Sequence, residues 1–420
     1  MKHSMTCRVV ILITGICMLS IKASASEVLT LRQAEATAVA NDPLIKTYLS
    51  STSAYQDKAV AADTLPDPKL KLGLMNFPTD SFRRDQEPMT QIQIGIQQAF
   101  PRGDSLAIKS RRMRFMADKQ AASGIDQSLK IRRQVRHAWL EMVYWLQARK
   151  VVNQNRDFFK QVVNITRSQY ASGRHRQQDV VRAQLELGML DDRIYRIETN
   201  IDQAKIRLGR LVGRDISHIL IEKSLPDLPT VKSRELILRS LNAHPVLRIQ
   251  QAMLSASEEG VALARQNYKP AWMLDLTYGA REGLNPNGSE RANFISAMVV
   301  MDIPLFTSHR QDKYLTASQA QRQAVLHSRE DRIRDLEQQL DDSYSSWRHL
   351  LERQSHYQSY LVPAAKENAD DALQAYQNSR GDFTSLMQAK ITEIEMMLNA
   401  LRIRIDSMKI QANLLYLSGE

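Results

Sequence analysis

The sequence is poor in the residues that cross-link or punctuate compact domains. Its only cysteines are Cys7 and Cys17, both close to the amino terminus. A chain processed beyond them has no thiol for a disulfide or a thiolate metal site. Glycine (15 residues), proline (13 residues) and aromatic residues (6%) are also scarce, which favours long helices over a strand-rich globule.

The first 25 residues have the organisation of a secretory signal peptide. Lys2 and Arg8 supply positive charge, residues 9–19 are apolar, and Ala23-Ser24-Ala25 is a small-residue cleavage site. We therefore expect residues 1–25 to be removed. A retained membrane anchor is the alternative, but the apolar run is shorter than the roughly 20 residues that a spanning helix needs.

The rest of the sequence lacks a transmembrane-length apolar run and a basic stripe. The formal charge of the full sequence is +11 at pH 7, but the cations are interspersed with acids along helical segments. That distribution gives no indication of nucleic-acid binding. A secreted chain of this kind is periplasmic, extracellular or part of an outer-membrane barrel.

The order of landmark residues indicates an internal duplication. Pro43 and Pro68 recur 202 positions later as Pro245 and Pro270. We predict a first repeat over 26–213, a linker over 214–231 and a second repeat over 232–420.

Each repeat contains two stretches of alternating apolar and polar residues. These predict strands at about 68–77 and 89–100, and at about 270–280 and 294–305. About ten residues suffice to cross a bilayer at a tilt, and a lipid-exposed strand needs this alternation. A soluble hairpin packed on a helix is the alternative. Since four strands cannot close a barrel, spanning requires several chains, and three chains supply twelve strands.

The remaining segments predict long helices. From about Ser105 to Ser168 there is no proline, which corresponds to a rod of roughly 95 Å. Thr30 and Gln33 form a capping-box pattern that opens a helix to about Asp63. A heptad spacing that predicts coiled-coil packing runs through Val180, Ala183, Leu187, Leu190, Ile194, Ile197, Ile201, Ala204, Leu208 and Leu211. The second copy of this register is interrupted at Glu393 and Ser407.

The duplicated order of helix, hairpin, long helix, tip and heptad helix resembles the TolC family of outer-membrane efflux channels. The similarity includes the tip at 170–173 followed by 179–185, and the ending 208–213. Residues 68–70 and 97–101 are similar to the CzcC/CusC-like channels of heavy-metal export systems. The resemblance implies a mostly α fold with a small β part, in which a homotrimer forms a twelve-stranded barrel in outer-membrane lipid above a periplasmic helical tunnel. It also implies a periplasmic adaptor and an inner-membrane pump of the RND type.

The resemblance places docking and gating at two tips, residues 171–179 and 378–385. The family closes this end with polar and acidic residues, and the matching positions here are Ser385 and Gln388, which are not acidic. Asp179 and Asp382 offer charge nearby; the alternative is that both simply cap helices. The candidate tip and gate residues are Gly173, Arg174, Asp179, Arg380, Gly381, Asp382, Ser385 and Gln388.

No catalytic, cofactor-binding or metal-binding motif is recognisable. There is no P-loop, G-x-S-x-G or H-E-x-x-H sequence. His349 and His356 lie about 10.5 Å apart along a helix, too far to share one metal ion. Three hypotheses remain: a passive channel subunit, a periplasmic coiled-coil adaptor, and a secreted structural coiled-coil protein. An enzyme is not expected.

Overall fold

A computed structural model describes residues 28–173, 176–216, 218–222, 224–378 and 380–420. The expected signal peptide lies outside these residues. The helices are α1 (Leu31–Asn41), α2 (Pro43–Ala62), α3 (Ser105–Ala171), α4 (Gln177–Val212), α5 (Arg234–Leu241), α6 (Pro245–Gln266), α7 (Gln311–His356), α8 (Val362–Gln377) and α9 (Phe383–Ser418). The strands are β1 (Lys69–Met75), β2 (Gln91–Phe100), β3 (Trp272–Ala280) and β4 (Phe294–Met301).

The fold is mostly helical with one four-stranded sheet. The strands pair antiparallel in the order β1-β2-β3-β4, so sequence order and spatial order agree. The order helix, helix, strand, strand, long helix, heptad helix occurs over α1–α4 and again over α5–α9. None of the helices within the described ranges is long and apolar enough to cross a membrane.

The helices pack along their length around α3, which contacts α2, α4, α6 and α9. Apolar side chains are buried in three clusters along this bundle. One cluster lies between α3, α4, α8 and α9 and reaches the tips; it includes Phe159, Leu190, Leu386 and Met387. Six of the ten predicted heptad residues are buried, namely Ala183, Leu190, Ile197, Ile201, Ala204 and Leu208. The other four, Val180, Leu187, Ile194 and Leu211, are half-buried.

Two predicted elements end earlier than expected, each near a proline, and a third helix changes geometry near one. The predicted helix from Thr30 to Asp63 is two helices, because Asp42 ends α1 and caps α2, whose first residue is Pro43. The long helix of the second half passes through a π-helical turn, Tyr357–Leu361, just before Pro363. The predicted strand 294–305 ends at Met301, shortly before Pro304. The capping box of Thr30 and Gln33 is present as predicted.

Candidate functional site

The sheet is the first candidate site, and its register sorts the side chains by polarity. Leu72 pairs with Ile94, Ile94 with Tyr278, and Tyr278 with Ile295, so these apolar residues form one row across all four strands. The neighbouring row on the other face, Lys71, Gly95, Thr277 and Ser296, is polar or small. Since side chains alternate between the faces of a sheet, β1, β2 and β3 each have one apolar and one largely polar face. Strand β4 is less clearly divided, because Met298 and Val300 lie on the same face as Ser296.

The apolar face of the sheet is exposed, whereas the polar face is buried only along the central strands β2 and β3. The edge strands β1 and β4 are largely exposed on both faces. Leu72 on β1 is 72% exposed and Ile295 on β4 is 77% exposed. On the polar face Asp275 is 3% exposed and Thr277 is 5% exposed. This is the reverse of a sheet in a water-soluble protein, where the apolar face packs on the core.

Asp275 is the centre of a hydrogen-bonded network on the polar face of the sheet. Its carboxylate lies 2.8 Å from the ammonium of Lys71 on β1. Thr277 donates a hydrogen bond of 2.7 Å to the same carboxylate, and the Gln97 amide donates one of 3.4 Å. Strands β1, β2 and β3 are therefore tied together by polar side chains as well as by the backbone ladder.

Two arginines join the loops at the far end of the sheet. Arg291 donates to the backbone oxygens of Asp85, Glu87 and Glu282 at 3.0–3.2 Å. Arg281 donates to the backbone oxygen of Pro88 at 3.1 Å. The loop between β1 and β2 is thus fastened to the loop between β3 and β4.

The tips at the opposite end are the second candidate site, and the first tip follows α3. Ser172 and Gly173 continue the last turn, with Gly173 in the left-handed region at φ 71°. A residue with a side chain rarely adopts that angle, so glycine permits the turn. Arg174 lies outside the described residues. Asp179 lies in the first turn of α4 but is not its N-cap residue, which is Arg176.

The second tip starts α9 through a side-chain cap. Asp382 is the N-cap residue and accepts hydrogen bonds from the Ser385 amide at 2.9 Å and from the Ser385 hydroxyl at 2.8 Å. These bonds hold the pKa of the Asp382 carboxyl below its usual range. The backbone amides of Arg380 and Gly381 both donate to Ala375 O, at 2.9 and 3.0 Å. The capping alternative therefore describes Asp382 but not Asp179.

Side chains connect the two tips to each other. The Tyr376 hydroxyl on α8 donates to Gln169 on α3 at 2.9 Å, and Arg182 on α4 donates to Thr384 on α9 at 2.9 Å. Tyr376 is buried, and its pKa is raised by that burial and by the negative charge of Asp179. Hydrogen bonds between α8 and α3 and between α4 and α9 thus connect the two tips.

The structure places Ser385 and Gln388 on the exposed side of α9, one turn apart. The Ser385 hydroxyl donates its hydrogen bond to the Asp382 carboxylate that caps the helix. Asp382, the one carboxylate of the second tip, thus lies beside Ser385, with Gln388 one turn farther along α9.

Sequence reasoning missed a buried ion pair just beyond the second tip. Lys390 and Glu393 are each 8% exposed, and their charged atoms lie 2.8 Å apart. The Lys390 ammonium also lies 3.6 Å from Asp370 and 4.9 Å from the centre of the Phe158 ring. The i,i+3 spacing of a lysine and a glutamate at a heptad position was the available signal. In the described parts of the chain, no group of three His, Cys, Asp or Glu residues is placed to hold a metal ion.

Comparison with known proteins identifies solved structures with the same fold. No protein-family model and no curated protein sequence matches the chain. Among solved structures, the outer-membrane channel OprN is similar with a TM-score of 0.78 and 15% identity, over 93% of this chain and 89% of that one. CusC, described as forming a transmembrane channel, has a TM-score of 0.77 and 13% identity, over 92% and 91%.

A third similar structure is the outer membrane protein VceC of Vibrio cholerae, with a TM-score of 0.75 and 15% identity, over 93% of this chain and 96% of that one. The likeness therefore spans the helices, the sheet and both tips. The chain has the fold of the TolC family of outer-membrane efflux channels.

Proposed function

We propose that the chain is a subunit of an outer-membrane channel that passively conducts cargo and catalyses no reaction. The observation that carries the proposal is the inverted sheet. Exposing Leu72 and Ile295 to water would forfeit the free energy of burying them, about 1.5–3 kcal/mol for each such side chain. In a bilayer the same face lies against acyl chains and the polar face lines a water-filled lumen.

The sheet has to be completed by other chains if it spans a membrane. Within the described residues, the outer edges of β1 and β4 have no strand partner. Unpaired backbone groups are not tolerated in hydrocarbon. Pairing β4 of one chain with β1 of the next closes a ring, and three chains supply twelve strands. Of the two alternatives, a periplasmic adaptor predicts one helical hairpin flanked by β-rich domains, and a structural coiled coil leaves the four alternating strands unexplained.

The helical body forms the periplasmic part in this proposal. Helix α3 has 67 residues and extends roughly 100 Å at 1.5 Å per residue. Three bundles of this length, side by side below the barrel, make a tunnel. We further propose that residues 1–25 are a signal peptide and that 26–213 and 232–420 are repeats joined by 214–231. The matching element order in the two halves supports the duplication.

The tips are the proposed site of docking and gating. A periplasmic adaptor binding there, with an RND-type inner-membrane pump behind it, would displace α4 and α9 from their present contacts. The hydrogen bonds of Tyr376 and Arg182 are the contacts that such a displacement has to break. Energy for transport comes from the pump, because the channel itself has no chemistry to supply it.

The cargo is proposed to be a heavy-metal cation on the basis of sequence resemblance at 68–70 and 97–101. The gate differs from an acidic ring, because Ser385 and Gln388 are neutral and Asp382 is engaged in its cap. Any selection among cations therefore lies with the partners in this account.

Conductance in planar lipid bilayers tests the proposed function. Purified protein should insert and give discrete current steps, with amplitudes that are uniform from one insertion to the next. A variant with Arg182→Gln and Tyr376→Phe should insert equally well and conduct more often. Protein that is folded by circular dichroism but never yields a current step would refute the channel.

A further inference from the structure

The segment between β4 and α7 displays unusually exposed apolar side chains. It comprises residues 302–310, whereas the corresponding turn between β2 and α3 comprises only residues 101–104. Ile303 is 61% exposed, Leu305 73% and Phe306 89%. Among the exposed large apolar side chains in the described ranges, none exceeds Phe306. The longer connection in the second half therefore carries a cluster of exposed apolar side chains.

Hydrogen bonds hold this segment at both ends. The Asp302 amide donates to Ala271 O at 3.0 Å, and the Asp302 carboxylate pairs with Arg102 at 3.3 Å. At the other end, Thr307 O accepts from the Arg310 amide at 3.1 Å and from the Asp312 amide at 3.0 Å. The apolar side chains thus project from a backbone fixed to the sheet and to α7, which lowers the entropic cost of using them for binding.

The segment extends the exposed apolar face of the sheet at the end nearest the helices, which we call the rim. Phe100, Trp272 and Met301 pair across β2, β3 and β4 at that rim and are 39%, 47% and 42% exposed. Aromatic residues gather where a barrel crosses from acyl chains to headgroups. Phe306 extends this rim beyond the last residue of β4.

Cations follow the apolar residues directly. Arg310 and Lys313 are both exposed, at the start of α7. The amino-terminal end of a helix repels positive charge, so two cations there are unfavourable unless an anion is bound nearby. Asp312, the acid in that turn, is hydrogen-bonded by the Tyr268 hydroxyl at 2.5 Å. Exposed apolar side chains next to exposed cations are complementary to a phospholipid, whose acyl chains lie next to its phosphate headgroup.

We propose that residues 303–313 are an interfacial anchor that binds anionic phospholipid in the leaflet next to the helical body. Leu305 and Phe306 enter the acyl boundary, and Arg310 and Lys313 contact headgroup phosphates. This inference rests on the proposed function, because it requires the sheet to lie in a bilayer. The anchor determines how deeply the sheet lies in the membrane at the end nearest the helices.

Depth-dependent fluorescence quenching tests the anchor. The exported protein, which has no cysteine once residues 1–25 are removed, receives one cysteine by Phe306→Cys, Leu72→Cys or Leu236→Cys and is labelled with an environment-sensitive fluorophore. Leu236 is 53% exposed on α5 and serves as the water-facing control. Each protein is reconstituted into vesicles of phosphatidylethanolamine and phosphatidylglycerol containing lipid nitroxides.

The three labels separate the anchor from the channel itself. We expect quenching at 306 by nitroxides near the headgroup, quenching at 72 by nitroxides deep in the acyl chains, and none at 236. Quenching at 72 without quenching at 306 overturns the anchor and leaves the channel intact. Absence of quenching at both 72 and 306 overturns the proposed function, and the anchor with it.

The charge contribution is measured by the lipids that the purified protein retains. Arg310→Ser and Lys313→Ser should each lower the ratio of retained phosphatidylglycerol to phosphatidylethanolamine about fivefold in native mass spectra. Arg334→Ser is the matched control, since it removes an exposed cation roughly 31 Å farther along α7. An unchanged ratio in both rim variants, or an equal fall in the control, contradicts a headgroup site at 310–313.

Discussion

The substitution Leu72→Arg on β1 should destabilise the assembled protein although the leucine is largely exposed in the single chain. Leu72 is the central residue of β1, between Leu70 and Leu74 on the same face, which places it near mid-height of the apolar band. An arginine facing lipid at that depth costs about 2–4 kcal/mol per chain. On a water-facing surface the same change is expected to stay within about 0.5 kcal/mol. Urea unfolding of protein reconstituted into phospholipid vesicles measures the difference.

Gln93→Arg on β2 is the matched control for this substitution. Gln93 lies on the opposite, polar face of the same hairpin, paired with Gly73, and in the proposed barrel it faces water. We expect its unfolding free energy to remain within about 1 kcal/mol of the parent. If Leu72→Arg costs no more than Gln93→Arg, the outward face does not contact lipid and the account of the sheet is wrong.

Three further predictions concern the helical body. Burial lowers the pKa of the His244 ring below its usual value of 6.5, and the neutral ring accepts a hydrogen bond from the Val246 amide. The neutral ring therefore stabilises the fold at neutral pH, and this contribution is lost as the pH falls and the ring is protonated. We expect the melting temperature to be lower at about pH 5 than at about pH 7.5, with a smaller difference in His244→Asn. Glu393→Gln removes the nearer and more deeply buried of the two carboxylates beside Lys390 and should cost up to about 3–5 kcal/mol in chemical denaturation, whereas Lys390→Met with Glu393→Leu should cost clearly less. Tyr376→Phe removes one bond between the tips, worth about 1 kcal/mol, and should raise the open probability in bilayer recordings about fivefold; an unchanged value would exclude the tips as the gate.

Local chemistry explains why the boundaries of several elements were predictable from the sequence. Thr30 and Gln33 satisfy the first amides of α1 within four residues, so neighbouring residues alone determine that start. Gly213 and Gly419 end α4 and α9 in the left-handed conformation, which only glycine adopts readily. The heptad spacing likewise predicted the buried seam of α4, because the seam depends on periodicity and not on distant contacts.

Other features depend on contacts that the sequence pattern does not encode. Alternation along β1 and β2 shows that two faces differ, but it does not predict that Asp275 on β3 reaches Lys71 on β1 across the polar face. Glu393 interrupts an apolar register when read alone and is accommodated because Lys390 and Asp370 approach it in space. The break at Pro43 had a local signal, since aspartate followed by proline is a cap and first residue of a new helix.

Native mass spectrometry of the protein extracted from outer-membrane fractions tests the central claim most directly. The account predicts a homotrimer that requires detergent, because the exposed apolar face and the open edges of β1 and β4 are satisfied only together. A monomer recovered from the soluble periplasm, with its sheet intact, would contradict the shared barrel and return the adaptor or structural coiled-coil hypothesis to first place.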